Sequence, residues 1–168
     1  MLEIMKAVLA NAEDLGFVHA TSWKQAYRGI VPQTFLDQLT SESRATFFRK
    51  AISISQHEFY GAYLKGKPVG MMSIGHSRDK DASEDTAEIS AIYCIADVWG
   101  TGCGRQLMDF AVNHLKKHAY HTISLWVFEE NRRARKFYEK YGYTFDGTKE
   151  QSDISGKQMT EMRYIYQL

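Results

Sequence analysis

Trp99-Gly100-Thr101-Gly102-Cys103-Gly104-Arg105 lies between a β-rich run, Thr86 to Ile95, and a helical run, Gly102 to Tyr120. After that helix, Thr122-Ile123-Ser124-Leu125-Trp126-Val127-Phe128 reads as a strand again. A helical crossover of this kind joins parallel strands, because the chain must travel back before the next strand can start. The helix carries Leu107, Met108, Ala111, Val112 and Leu115 on one face. Its last turn holds Lys116, Lys117 and His118, where positive charge suits the helix dipole. The glycines let the backbone approach a ligand, and the helix start offers unpaired N–H groups to an anion such as a diphosphate. A tight turn that holds nothing has the same composition, so both readings stand at this point.

Toward the C-terminus, Asn131 can cap a helix with Ala134, Phe137, Tyr138 and Tyr141 on one face and Gly142 as its stop. Tyr143 to Thr148 and Met159 to Tyr166 then read as strands around a turn at Gly156. Toward the N-terminus, Leu2 to Val8 reads as a strand. A helix follows from Asn11 or Glu13, with Leu15, Val18, His19, Ser22, Trp23, Ala26 and Tyr27 on a broad face, ended by Gly29 and Pro32. A second helix is expected over Ser41 to Ser55, and strands over Phe59–Leu64 and Pro68–Ile74, joined at Lys65-Gly66-Lys67. Polar Ser77 to Asp85 reads as an exposed, mobile loop. The sum is an α+β fold (α/β mixed): one mixed sheet, mostly antiparallel, of about six or seven strands with helices on both faces.

The 168 residues fit a single domain, 1–168, with no internal repeat or linker. At 44% apolar and 24% charged the chain can build a core without disulfides or metal. Lys+Arg (21) and Asp+Glu (20) leave a net charge of +1, which excludes broad nucleic-acid binding, so any phosphate site must be local. No membrane span is expected. Glu3 and Lys6 interrupt the start, so no signal peptide is expected either, and the cytoplasm is the default location. Cys94 and Cys103 are too few for a disulfide scaffold, and no His–Asp pairing nominates Cys103 as a nucleophile. His114 and His118 have helical spacing for zinc but no acidic or cysteine partner nearby in sequence, so no metal is expected.

Two phosphate motifs fail. No Gly-Lys-Ser/Thr follows the loop, and the dinucleotide fingerprint needs glycine where Arg105 stands. Glu129 and Glu130 do stand about where a dinucleotide fold puts its ribose-binding acid, but too little chain follows for a doubly wound sheet. Taken together, Ala87-Glu88-Ile89-Ser90-Ala91-Ile92-Tyr93-Cys94, the glycine loop, Leu125-Trp126-Val127 and the run from Asn131 to Tyr143 resemble the GNAT family of N-acetyltransferases. The likeness spans about Thr86 to Gly147. Its most specific part is the ordered set of loop, Asn131, Phe137-Tyr138 and Gly142. Two positions depart: Trp99 stands where the family usually has Arg or Gln, and Ala96 where proline is common.

The resemblance implies acetyl-CoA as co-substrate, without metal, and a primary amine as acceptor, attacked directly in a ternary complex. Its pantetheine arm would lie between splayed strands against the amides of Ile92, Tyr93 and Cys94. Gly100, Thr101, Gly102, Cys103, Gly104 and Arg105 would take the pyrophosphate. Asn131 would cap its helix and contact the pantetheine. Tyr138 would be the general acid for the departing thiolate, although core packing beside Phe137 and Tyr141 is the plainer reading. Glu88, eleven residues before Trp99, takes the position of the glutamate base in histone-acetylating members; the alternatives are an exposed strand carboxylate, one paired to a basic neighbour, or no single base, with water relaying the proton. Where other relatives place that base on the next strand, this chain has Trp126.

Trp23 and Tyr27 would wall the acceptor pocket or pack the core. Asp79, Asp81, Glu84 and Asp85 would attract a cationic amine or simply face water. Arg132, Arg133, Arg135 and Lys136 oppose the dipole of their helix, as phosphate ligands or as a solvated face. A small amine (polyamine, amino acid or antibiotic-like) is favoured over a protein lysine or N-terminus. A non-catalytic acyl-CoA-binding module is the competing class. Relatives often form homodimers.

Overall fold

In the computed structural model, which describes residues 1–54 and 56–168, the chain runs β1 (Leu2–Lys6), α1 (Ala12–Ala26), α2 (Gln33–Gln38), α3 (Ser41–Ile54) and β2 (Glu58–Leu64). It continues through β3 (Lys67–His76), β4 (Thr86–Cys94), α4 (Cys103–Lys117), β5 (Thr122–Phe128), α5 (Arg132–Tyr141), β6 (Thr144–Ile154) and β7 (Lys157–Gln167). The strands form one sheet in the order β1-β2-β3-β4-β5-β7-β6. Only the β4–β5 pair is parallel among the described residues; the other neighbours are antiparallel. This is the mixed, mostly antiparallel α+β sheet expected from the sequence.

The side-chain alternation of the strands sorts the apolar residues onto two faces. On one, Leu107, Met108, Ala111 and Leu115 of α4 pack with Met72, Ile89, Ile123, Leu125, Val127, Met162 and Tyr164. On the other, Leu15 and Val18 of α1 and Phe48 of α3 cover Phe59 and Met71, and Tyr27, Val31 and Leu36 cover Phe128 and Met159. No helix among the described residues is long and apolar enough to cross a membrane.

One irregularity shapes everything near the centre. The β3–β4 register steps from Ser73↔Ala91 to Ile74↔Ile89, which leaves Ser90 as an extra residue on β4. Ser90 Oγ lies 2.9 Å from Ser73 Oγ and 3.0 Å from His57 Nδ1. Parallel pairing with β5 covers only Thr86↔Thr122, Ala87↔Ile123 and Glu88↔Ser124. From the bulge onward the two strands part.

Several boundaries differ from expectation. The first helix ends at Ala26; Gly29 has φ +79°, and Pro32 opens the unpredicted α2 rather than closing α1. β6 runs to Ile154, well past Thr148, since its partner β7 keeps the ladder going through polar residues. Ser55, the expected end of the second helix, lies outside the described residues. The Ser77–Asp85 segment is not simply exposed: Ser77 is buried, Asp79 accepts a hydrogen bond from Trp126 Nε1 (3.0 Å), and Asp79 and Asp81 both bind Arg163. Long-range ion pairing, invisible in the local composition, ties it down.

Gly16 marks the tightest helix crossing. A Cβ there would come within 2.5 Å of Ala45 N and Ser41 O, both backbone atoms of α3 that cannot swing aside. Gly16→Ala is therefore expected to destabilise the fold by about 1–3 kcal/mol through overpacking, outweighing the roughly 1 kcal/mol that alanine gains in a helix. Thermal denaturation checks this, and a raised Tm would contradict it.

Candidate active site

Where β4 and β5 part, a cleft of about 910 Å³ opens, bounded by β4, β5, the glycine loop, α1 and α5. Ile95 N donates to Val69 O on β3 (3.0 Å). Antiparallel alternation then turns Tyr93's backbone groups toward β3 as well, and those of Ile92 and Cys94 toward the cleft. Of the three amides expected there, two face the gap. The Cys94 carbonyl already accepts Trp99 Nε1 (2.8 Å).

The loop closes one end. Gly100 (φ +75°) and Gly102 (φ +91°) adopt left-handed conformations, and nothing lies within 4 Å of where either Cβ would stand. That open cradle, capped by the start of α4, fits an anionic group. Gly100, Gly102, Gly104 and Arg105 line the cleft. The side chains of Thr101 and Cys103 do not: Thr101 Oγ1 donates to Val98 O (2.8 Å), and Cys103 is buried against Val69, Ile95 and Val98. The departure at Trp99 has a structural reading. Its ring carries the Arg133 guanidinium 3.2 Å from the ring centroid, and Arg133 lines the cleft. A cation from α5 is thereby held beside the loop.

Asn131 caps α5, its Oδ1 accepting from Ala134 N (3.2 Å), and is itself buried on the cleft wall. Tyr138 is only 8% exposed, packs on Phe137 and Tyr143, and also lines the cleft. Core packing and a cleft position thus coincide. Its hydroxyl has no hydrogen-bond partner among the described residues. Burial, followed by the neighbouring Tyr93 and Cys94, pushes its pKa well above the ordinary phenol value, so the proton stays on. Of the other basic residues on α5, Arg135 binds Tyr164 Oη and Glu129 O, away from any phosphate role.

At the opposite end an aromatic wall forms: Trp23 meets Tyr27 at 4.7 Å between ring centroids, and Tyr27 meets Phe128 at 5.2 Å. These rings pack the core and also line the cleft. Behind them His19, stacked on Trp23, is held neutral, its pKa lowered to about 3 by burial and then by Arg44.

Glu88 is 4% exposed and lines the cleft, but it is occupied. Arg78 donates to it from Nε (2.9 Å), Nη2 (2.8 Å) and its backbone N (3.3 Å). Burial would raise this carboxyl, but the hydrogen bonds and charge of Arg78 outweigh it and hold the pKa below the usual value. Sequence reasoning missed Arg78, Arg163 and Glu161. Glu161 on β7 stands opposite Phe128 and Glu150, and lines the cleft. Among the described residues it has no cationic partner. Burial, then Glu150, raises its pKa. The only signal in the sequence was a carboxylate inside a mostly apolar strand, Met159 to Tyr166, that also carries Thr160 and Arg163. Away from the cleft, His114 stacks on His118 and pairs with Glu58.

The acetyltransferase (GNAT) family model matches residues 20–143, and the chain belongs to this family. It is an acyl-transferring enzyme, an N-acetyltransferase. The uncharacterised N-acetyltransferase YuaI of Bacillus subtilis is 28% identical over 145 residues, covering 84% of this chain and 79% of YuaI. Among solved structures, the PaiA N-acetyltransferase of Thermoplasma acidophilum in complex with coenzyme A superposes with a TM-score of 0.79 at 22% identity, covering 100% of this chain and 99% of that one. YncA of Salmonella typhimurium, solved with its cofactor acetyl-CoA, gives 0.74 at 15% identity over 100% and 94% of the two chains.

Proposed function

We propose that the cleft binds acetyl-CoA and passes the acetyl group directly to a small primary amine held in the same cleft. The observation that carries this reading is the union, in one cavity, of an open anion cradle, a strand edge with free amides and a buried tyrosine hydroxyl without a partner. Gly100, Gly102, Gly104, Arg105 and Arg133 receive the pyrophosphate. Ile92 and Cys94 offer their backbone edge to the pantetheine amides, much as to an added strand, and one of these N–H groups polarises the thioester oxygen. The relatives solved with coenzyme A or acetyl-CoA share this fold and support the choice of ligand.

The acceptor enters at the Trp23, Tyr27 and Phe128 end. An alkylamine arrives as an ammonium and must lose a proton before it attacks. Of the four carboxylates on the wall, Asp79 is bound by Trp126 and Arg163 and Glu150 is exposed, which leaves Glu88 and Glu161 to compete for it. Glu88 is ionised but held by three hydrogen bonds from Arg78. Glu161 has no such partner, and burial raises its proton affinity. Glu161 therefore takes the ammonium proton, directly or through water, while Glu88 holds Arg78 at the rim. Tyr138 gives its proton to the departing sulfur.

Steady-state kinetics with a panel of amines, followed by release of the coenzyme A thiol, tests both roles. Tyr138→Phe should lower kcat by about a hundredfold with coenzyme A affinity retained; an unchanged kcat would remove Tyr138 as the acid. Glu161 acts in its ionised form, so its raised pKa places the acid limb of kcat/KM above the usual carboxylate range. Glu161→Gln should abolish that limb and cut kcat/KM for the amine about a hundredfold. A profile in which the limb survives would return the proton to Glu88 or to water.

A further inference from the structure

Cys94 ends β4 and Cys103 begins α4, and both are free thiols. Their Sγ atoms lie 3.4 Å apart. A disulfide needs about 2.05 Å, so a shift on the order of 1 Å would join them. The chain between the two is the loop that carries Gly100 and Gly102. Cys94 lines the cleft and is partly exposed, whereas Cys103 sits behind it, 4% exposed. The hydrogen bond between the two thiols, together with burial, pushes Cys94 up, with Arg133 offsetting only part of this, while the same hydrogen bond holds Cys103, in the first turn of α4, below the ordinary thiol value. The accessible sulfur is therefore Cys94, which an oxidant reaches first, and the buried Cys103, the readier thiolate, stands in contact to resolve it. Nothing in acetyl transfer uses either sulfur.

We propose that Cys94 and Cys103 are a modification site that takes a hydroperoxide and closes as a disulfide beside the glycine loop. In the first step Cys94 Sγ attacks a peroxide oxygen. The S–O bond forms as O–O breaks, and the leaving hydroxide takes up the Cys94 proton as water. In the second step Cys103 Sγ attacks the resulting sulfenic sulfur. The S–S bond forms as S–O breaks, and the second hydroxide leaves with the Cys103 proton as water. The two thiols lose two electrons and two hydrogens, and one hydrogen peroxide becomes two waters. A dithiol reverses the closure by exchange.

Closure also acts on the loop. The Cys94 carbonyl holds Trp99 Nε1, and Trp99 carries Arg133. Drawing Cys94 toward α4 displaces that cation from the anion cradle, while a bound ligand in the cleft shields Cys94 from the oxidant. The effect on affinity rests on the coenzyme A reading; the closure itself does not.

The reduced full-length protein is treated with hydrogen peroxide, analysed by intact mass and peptide mapping, and titrated with coenzyme A. The expected result is the loss of two hydrogens and a Cys94–Cys103 cross-linked peptide. Coenzyme A affinity should fall about tenfold, the worth of one hydrogen bond to a charged group, and recover with dithiothreitol. Cross-linking should slow when coenzyme A is already bound. In Cys103→Ser no intramolecular disulfide forms, and Cys94 is trapped as sulfenic acid by a dimedone probe. Two thiols still titratable with maleimide after peroxide, or disulfides only between chains, would overturn the site. A closed disulfide with unchanged affinity would overturn its effect on the loop. Reduced protein that binds no coenzyme A yet still closes would overturn the ligand reading and leave the modification site standing.

Discussion

The separation of β4 from β5 is the constraint on which the rest depends. Ser90 inserts one residue into β4, and Ser73 and His57 hold its hydroxyl, so the strand bends where parallel pairing would otherwise continue. The consequence is chemical as well as geometric. Backbone groups of Ile92 and Cys94 face a gap instead of a neighbouring strand, and buried groups of this kind require a partner. The crossover to α4 must leave from the end of β4, so the helix start and its glycines arrive at the same opening. One bend thereby supplies the slot, the strand edge and the anion cradle together.

Charge pairing divides the cleft wall into fixed and free groups. Arg78 is committed to Glu88. Arg163 gathers Asp79, Asp81 and Asp146 from the Ser77–Asp85 segment and β6, with Trp126 Nε1 on Asp79. Ion pairs with one partner sunk in the protein add little net stability but fix position, because removing the other partner strands the buried one. Glu161 and the Tyr138 hydroxyl are left without fixed partners among the described residues. Their burial moves both pKa values upward, which keeps the phenol protonated and makes the carboxylate a better base. The two groups proposed as acid and base thus differ through their surroundings.

The glycine-loop end of the cleft was legible because its parts are contiguous. The glycine loop, the Asn131 cap and Tyr138 each depend on local spacing, and each stands where that spacing puts it. Side-chain direction inside the motif was not legible: Thr101 turns to Val98 and Cys103 into the core, as backbone dihedrals rather than residue types decide. The loop from Ser77 was misread because its partner Arg163 is 82 residues from Asp81 in sequence. Glu161 was missed for the same reason, since only the β5–β7 register brings it opposite Phe128. The extra residue at Ser90 left no mark in composition, and the short α2 was hidden by Pro32.

Amide hydrogen exchange with and without acetyl-CoA tests the central claim most directly. If the β4–β5 gap and the glycine loop form the acyl-CoA site, saturating acetyl-CoA should slow exchange at Ile92, Cys94 and Gly100 to Arg105, and leave the β1–β2 edge unchanged. Protection confined to other surfaces, or none at these amides under conditions where acetyl-CoA is bound, would contradict the account.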